Sequence, residues 1–305
     1  MKYNWSIIGH EKQLEQIERD IASGNLAHAY LLAGPNSVGK HTVARKMAGI
    51  LQCENDFCHK CKTCIQVQQG AHVDTVCLKG KDSVKIEDIR KIIDRASMTG
   101  QSRYKIFLIQ SIERMTKEAA NSFLKILEEP TPRTIFLLTT NNLREILPTV
   151  ISRTRVIKFR TVSAAYLENK LHELYPESEE AVIRQVSLMA LGKTGKAIHL
   201  MENPDSLADY LRIYHDVQNF LDHRNIVDRF SYVESFTEEG LKIETFLNIL
   251  THVLRSKLLE SGGADKGGGE KEKYLNVLLK IEEAGMLLKK NINTRLVLEN
   301  LMISL

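Results

Sequence analysis

Apolar residues recur at two different spacings in the first half of the chain and at only one after residue 160. Residues 7 to 25 carry Leu14, Ile17 and Ile21 three and four positions apart, which predicts an amphipathic helix. Ala29-Tyr30-Leu31-Leu32-Ala33 is a short continuous apolar run, read as a buried strand. His41 to Leu51 returns to helical spacing through Val43, Met47 and Leu51. Val73 to Leu78 predicts a second strand, Ile86 to Ile93 a helix and Ile106 to Ile109 a third strand. Thr116 to Glu129 predicts a helix with Thr116 as N-cap and Pro130 as terminator. Thr134 to Leu138 and Val156 to Phe159 supply the fourth and fifth strands. Strands alternating with helices predict an α/β domain, a mainly parallel sheet flanked by helices on both faces.

Past residue 160 the strand-like runs stop. The expected division is 1–162 for the α/β domain, 163–204 for a small helical unit and 205–305 for a second all-α unit. Gly262 to Gly269 reads as a flexible surface loop between two helices of that last unit. There is no internal repeat.

Composition narrows the class only a little. The chain has 305 residues, 43% of them hydrophobic, and a net charge of +4 from 42 basic and 38 acidic residues. That permits a local basic face and does not require one. No apolar run approaches the ~18 residues of a membrane span. The opening Met1-Lys2-Tyr3-Asn4-Trp5-Ser6 lacks the apolar core of a secretory signal, so the expected compartment is cytoplasmic.

Between the first strand and its helix, Gly34-Pro35-Asn36-Ser37-Val38-Gly39-Lys40-His41 matches a phosphate-binding loop at Gly34, Gly39 and Lys40. Its last position departs from the pattern. His41 stands where a Ser or Thr hydroxyl would hold Mg²⁺. Thr42 would lie about 100° further round the helix, a poor substitute. Nor are there acids at the end of the third strand, where metal binding and water activation need them. Gln110 and Ser111 occupy those positions, and Glu113 is expected to point away from the strand end. The reading is a degenerate loop without useful hydrolysis. Whether it still holds phosphate of ATP, or is only an inherited strand–helix turn, stays open.

Four of five cysteines, Cys53, Cys58, Cys61 and Cys64, follow the spacing C-x4-C-x2-C-x2-C. Four thiolates so close suit a closed, structural Zn²⁺ site. Iron–sulfur is the rival, weakened because no C-x3-C-P element follows Cys64; free thiols are the third option. His59, Lys60 and Lys62 are read as solvated neighbours, and Cys77 as a buried core residue. Arg153, after the fourth strand, is by itself an ordinary surface arginine. In ring ATPases an arginine near this point can instead reach phosphate bound by a neighbouring subunit, worth roughly 10³ to 10⁵ in rate.

Several segments together resemble the bacterial DNA polymerase III clamp-loader family, and within it the delta prime type of subunit. Ile7-Ile8-Gly9-His10 and His28-Ala29-Tyr30-Leu31 are similar to the family's start. The four-cysteine insertion follows the first loop helix as it does there. Ala120 to Pro130 resembles A-N-x-L-L-K-x-L-E-E-P, Leu147 to Thr154 resembles L-P-T-I-x-S-R-C, and Asn291 to Leu301 fits the last helix. The resemblance implies an AAA+ fold, a helical lid and a C-terminal collar for oligomerisation. It implies a ring with three gamma/tau subunits and one delta subunit, a component of the polymerase holoenzyme that loads the sliding clamp on primed DNA. It makes Arg153 an arginine finger offered in trans. Thr154 departs from the family's Cys without removing the guanidinium. Gly192 to Ala197 stands where active relatives carry G-S-x-R-D-A, which puts Gly195 at the second sensing arginine. The expected role is a non-hydrolysing stator. The alternatives are an active gamma/tau-type motor and a zinc-dependent DNA-binding module acting alone.

Overall fold

The computed structural model describes residues 2–78, 83–222, 225–238, 243–260, 268–290 and 292–305. It divides into two compact units, Met1–Ile198 and His199–Leu305.

The first unit opens with α1 (Glu11–Ala22), followed by β1 (Ala29–Ala33), α2 (Lys40–Gln52), α3 (Lys62–Gln69), β2 (Thr75–Leu78), α4 (Ile86–Ser97) and β3 (Lys105–Ile109). Next come α5 (Lys117–Glu128), β4 (Thr134–Thr140), the single turn α6 (Pro148–Ile151) and β5 (Arg155–Lys158). The five strands form one sheet in the order β2-β3-β4-β1-β5, and every neighbouring pair is parallel. The expected α/β architecture is present: one parallel sheet with helices packed on both faces. Successive strand residues face opposite sides, so each strand serves two cores. Tyr30, Leu32, Ile106, Leu108 and Leu137 join Leu14, Ile17 and Met47 on one face. Ala29, Leu31, Phe107, Ile109, Phe136 and Leu138 join Ile89, Ile92 and Phe123 on the other.

Element limits differ from the sequence reading for local reasons. α1 starts at Glu11 rather than residue 7, because His10 adopts a left-handed backbone (φ 67). β4 continues two residues past Leu138, since Thr139 and Thr140 are buried and still pair with Leu32 and Ala33. α3, inside the cysteine segment, has no apolar periodicity long enough to announce it. Cys77 is half-buried rather than buried, because β2 is an edge strand.

Helices α7 (Ala164–Leu174) and α8 (Glu180–Met189) pack as a pair after β5. α9 (Thr194–Glu202) runs across the boundary between the units. The second unit contains α10 (Pro204–Asp222), α11 (Ile226–Glu238), α12 (Ile243–Glu260), α13 (Gly268–Lys289) and α14 (Thr294–Ile303). Of the glycine-rich segment, 262–267 lies outside the described residues, while Gly268 and Gly269 already belong to α13. Among the described residues no helix is long and apolar enough to cross a membrane.

Candidate functional site

A parallel sheet brings all its strand C-termini to one edge, where ligands bind in open α/β folds. Here that edge gathers Gly34 after β1, Gln110 after β3 and Asn141 after β4. Gly34 is required: its φ is 155°, and a Cβ there would lie 2.3 Å from the Phe159 carbonyl oxygen.

Lys40 is the first residue of α2 and is only 6% exposed. Its ammonium has three protons to donate. They go to the carbonyl oxygens of Gly34 (2.7 Å) and Pro35 (2.6 Å) and to Asn141 Oδ1 (3.0 Å). Burial pushes its pKa down to about 8, and the nearby Glu113 carboxylate opposes that shift.

Glu113 corrects the sequence reading. It was expected to point away from the strand end; the chain instead turns it back. Ser111 takes a left-handed conformation (φ 53), and the 3₁₀ turn Ile112–Arg114 follows. Glu113 Oε1 then accepts from Asn141 Nδ2 (2.9 Å) and from the Asn141 backbone N–H (3.3 Å). Its Oε2 is buried with no hydrogen-bond partner among the described residues. A Lys40–Asn141–Glu113 chain therefore spans the strand ends. Asn141 escaped sequence reasoning altogether. Its only signal was position, one residue beyond a central parallel strand.

The two departures from the nucleotide-site pattern meet each other. Gln110 Nε2 lies 2.8 Å from a ring nitrogen of His41. Thr42 is exposed.

A third contact set comes from α9. The Gly195 backbone N–H donates to the Ser37 carbonyl (2.8 Å), and Thr194 Oγ1 donates to the Val38 carbonyl (3.3 Å). The first satisfies a backbone donor of a helix N-terminus that has no partner within the helix. A Cβ at Gly195 would lie 2.9 Å from the Ser37 oxygen, so the side chain's absence permits the approach. The ring of His10 also meets the Val38 carbonyl, at 3.0 Å through Nε2. Burial holds that imidazole below its ordinary pKa. It is therefore neutral near pH 7 and donates as the Nε2–H tautomer. The loop's carbonyls at 34, 35, 37 and 38 are all engaged by the chain's own donors.

Cys53, Cys58, Cys61 and Cys64 converge, with their sulfurs all within 4.8 Å of one another. Cys53 is 3.9 Å from Cys58 and from Cys61, and Cys58 is 3.9 Å from Cys64. A tetrahedron of ~2.3 Å Zn–S bonds has edges of about 3.8 Å, so the four thiols fit zinc. Backbone N–H groups of Lys60 and Cys61 lower the Cys58 thiol to about 6, which favours the thiolate a metal needs. His59 is exposed and lies outside the ligand set, with Nδ1 2.5 Å from Gln68 Nε2. Four sulfurs leave no open position for a substrate.

Arg153 follows α6, and its side chain is about one-third exposed. Its Nη2 is 2.7 Å from Glu128 Oε1, and its Nη1 donates to the Thr149 carbonyl at 3.0 Å.

Comparison with known proteins places this geometry in a family. The chain is 29% identical over 217 residues to DNA polymerase III subunit gamma of Buchnera aphidicola from Acyrthosiphon pisum, covering 68% of this chain and 60% of that protein. It is 31% identical over 206 residues to the same subunit of Buchnera aphidicola from Schizaphis graminum, covering 65% and 57%. The chain thus spans less than two thirds of these relatives. Its fold is similar to the Holliday junction branch migration motor RuvB of Thermotoga maritima, with a TM-score of 0.50, 17% identity, and coverage of 94% and 83%. The family described as DNA polymerase III, delta subunit, matches residues 9–163, more than half of the chain. The chain belongs to that family, the delta-subunit-like AAA+ proteins of the DNA polymerase III clamp loader.

Proposed function

We propose that this chain is the delta prime-type stator of a clamp loader: a ring subunit that does not hydrolyse ATP usefully and completes a neighbour's site with Arg153. The observation that carries the proposal is the self-satisfied phosphate loop. Lys40 spends its three protons inside the chain, and His41 pairs with Gln110 where hydroxyl and carboxylate would hold a metal. Any phosphate entering this loop must displace Asn141 and two carbonyls from the one lysine that would bind it.

In this reading 1–162 is the AAA+ domain, 163–204 the lid and 205–305 the collar. The partners are gamma/tau-type and delta-type subunits, with the sliding clamp and primed DNA reached through the assembly. The zinc is structural. The collar role draws support from α13 and α14. Leu275, Leu279 and Met286 are exposed on α13, and Leu296 and Ile303 on α14. A second reading, an active gamma/tau-type motor, is favoured by the names of the relatives and by intact Gly34, Gly39 and Lys40.

ATP turnover separates the two. The purified chain is measured alone, then mixed with gamma/tau-type and delta-type subunits. The stator reading expects no turnover alone and a rate in the mixture that falls when Arg153→Ala replaces the parent. Sustained turnover by the chain alone, abolished by Lys40→Ala, would establish the motor instead.

A further inference from the structure

We infer that Glu128 is a positioning residue for the Arg153 finger; the inference rests on the proposed finger role. Arg153 Nη2 meets Glu128 Oε1 at 2.7 Å, while Nη1 donates to the Thr149 carbonyl at 3.0 Å and reaches Ser152 Oγ at 3.3 Å. A guanidinium has five N–H donors in a rigid fork. These contacts take three and leave two for a phosphate. The fork is thus held by a carboxylate and a backbone carbonyl, with Nε–H and one Nη2–H left to bind.

Holding the fork in advance matters for rate. A free arginine samples many rotamers and loses that freedom on engaging phosphate; one oriented beforehand has less to lose.

The placement of Glu128 separates this pair from an ordinary surface ion pair. Glu128 is the last residue of α5, and Glu129 is its C-cap. Two carboxylates at the carbonyl end of a helix oppose its dipole. Local helix energetics would place basic residues there, as at Lys125 one turn earlier. Arg153 offsets this unfavourable charge, at 35% exposure against 50% for Glu128. At that exposure the pair contributes little to stability, so its removal leaves a folded subunit to test. Position also helps: Ile126 and Leu127 share a core with Val150 and Ile151, which fixes the end of α5 against α6.

The experiment measures steady-state ATP hydrolysis by the assembly reconstituted from the full chain, gamma/tau-type and delta-type subunits, with primed DNA and sliding clamp. Glu128→Ala is expected to lower kcat roughly tenfold, with KM and co-elution of the subunits unchanged. Glu128→Gln, which keeps an acceptor at the same reach, should recover part of the loss. Glu128→Ala combined with Arg153→Ala should be no slower than Arg153→Ala alone. A fall with Arg153→Ala but a parental or faster rate with Glu128→Ala overturns the positioning role and leaves the finger standing. A parental rate with Arg153→Ala removes the finger, and the positioning role with it.

Discussion

Lys40 keeps its place in the loop motif while its ammonium is engaged by its own chain. In a working phosphate loop the lysine waits for an anion; here it is buried and tied to three oxygens of its own chain. Lys40→Met leaves three acceptors without their donor but also removes a buried charge, so a net destabilisation of the free protein of about 1 kcal/mol is expected. Urea unfolding without nucleotide measures this, and an unchanged midpoint would return Lys40 to a waiting role. The pH dependence has a definite sign. The folded state holds the lysine at about 8, below its usual 10.5. Between those values the unfolded chain carries the proton and the folded chain does not, so the Lys40 contribution to stability rises with pH. It amounts to at most ~1.4 kcal/mol for each pH unit of that window. Below pH 8 both states are protonated and the contribution is flat. Subtracting the pH–stability curve of Lys40→Met from that of the parent isolates the slope. Sequence made Gly34, Gly39, Lys40 and His41 legible because their spacing is a local property. Asn141 and Glu113 were not legible, because one sits beyond β4, the other is returned by a turn after β3, and only the sheet brings them together.

At the scale of elements, the five strands were readable because buried parallel strands are short unbroken apolar runs. Their limits depended on pairing, as Thr139 and Thr140 illustrate: nothing in two threonines announces a strand until Leu32 and Ala33 lie beside them. The docking of α9 on the phosphate loop was equally hidden. Gly195 read as a lost arginine; its structural meaning is a lost Cβ. In an unobstructed helix Gly→Ala gains up to ~1 kcal/mol. At Gly195 the added methyl meets the Ser37 oxygen at 2.9 Å, and the expected outcome is a net loss of about 1 kcal/mol or more. Gly195→Arg, the residue that the proposed reading expects here in active relatives, should cost more and loosen α9 from the loop. Thermal unfolding of both variants checks this, and a rise in Tm for Gly195→Ala would show that the contact yields freely. The cysteine segment makes its own prediction. The described chain there joins the main core through Cys53, Phe57 and Cys64 but is too small for a core of its own, and the proposed metal would add to its order. One zinc and no iron per chain is expected by elemental analysis, and Cys58→Ser should lose the zinc and admit protease between residues 53 and 64. A stoichiometric iron content would instead establish the cluster reading that the spacing left open.

At the scale of the whole molecule, two exposed features bear on the proposed assembly, one in each unit. The first unit turns its loop carbonyls, Lys40 and His10 inward, while Arg153 retains donors on the surface. The second unit buries Val277, Ile281 and Ala284 on one side of α13 and leaves Leu275, Leu279 and Met286 exposed on another. Residues 275, 279 and 286 are four and seven apart, so they lie along one stripe of that helix, with exposed Glu282 between the last two. A single exposed leucine needs no explanation, but an aligned stripe marks a surface that gains by being covered. The proposed occupant is the collar of a neighbouring clamp-loader subunit. Leu279→Glu tests it cleanly, because Leu279 is 65% exposed and its replacement should change the stability of the isolated chain by no more than ~0.5 kcal/mol. In the assembly the same substitution buries a charge against apolar surface, and affinity for gamma/tau-type subunits should fall at least tenfold, or ~1.4 kcal/mol. Analytical ultracentrifugation of the mixture measures the affinity, and denaturant unfolding of the single chain controls for folding. Unaltered assembly with an unaltered fold would move the ring contact off this stripe of α13, leaving the α14 face around Leu296 and Ile303 as the surface to test in the same way.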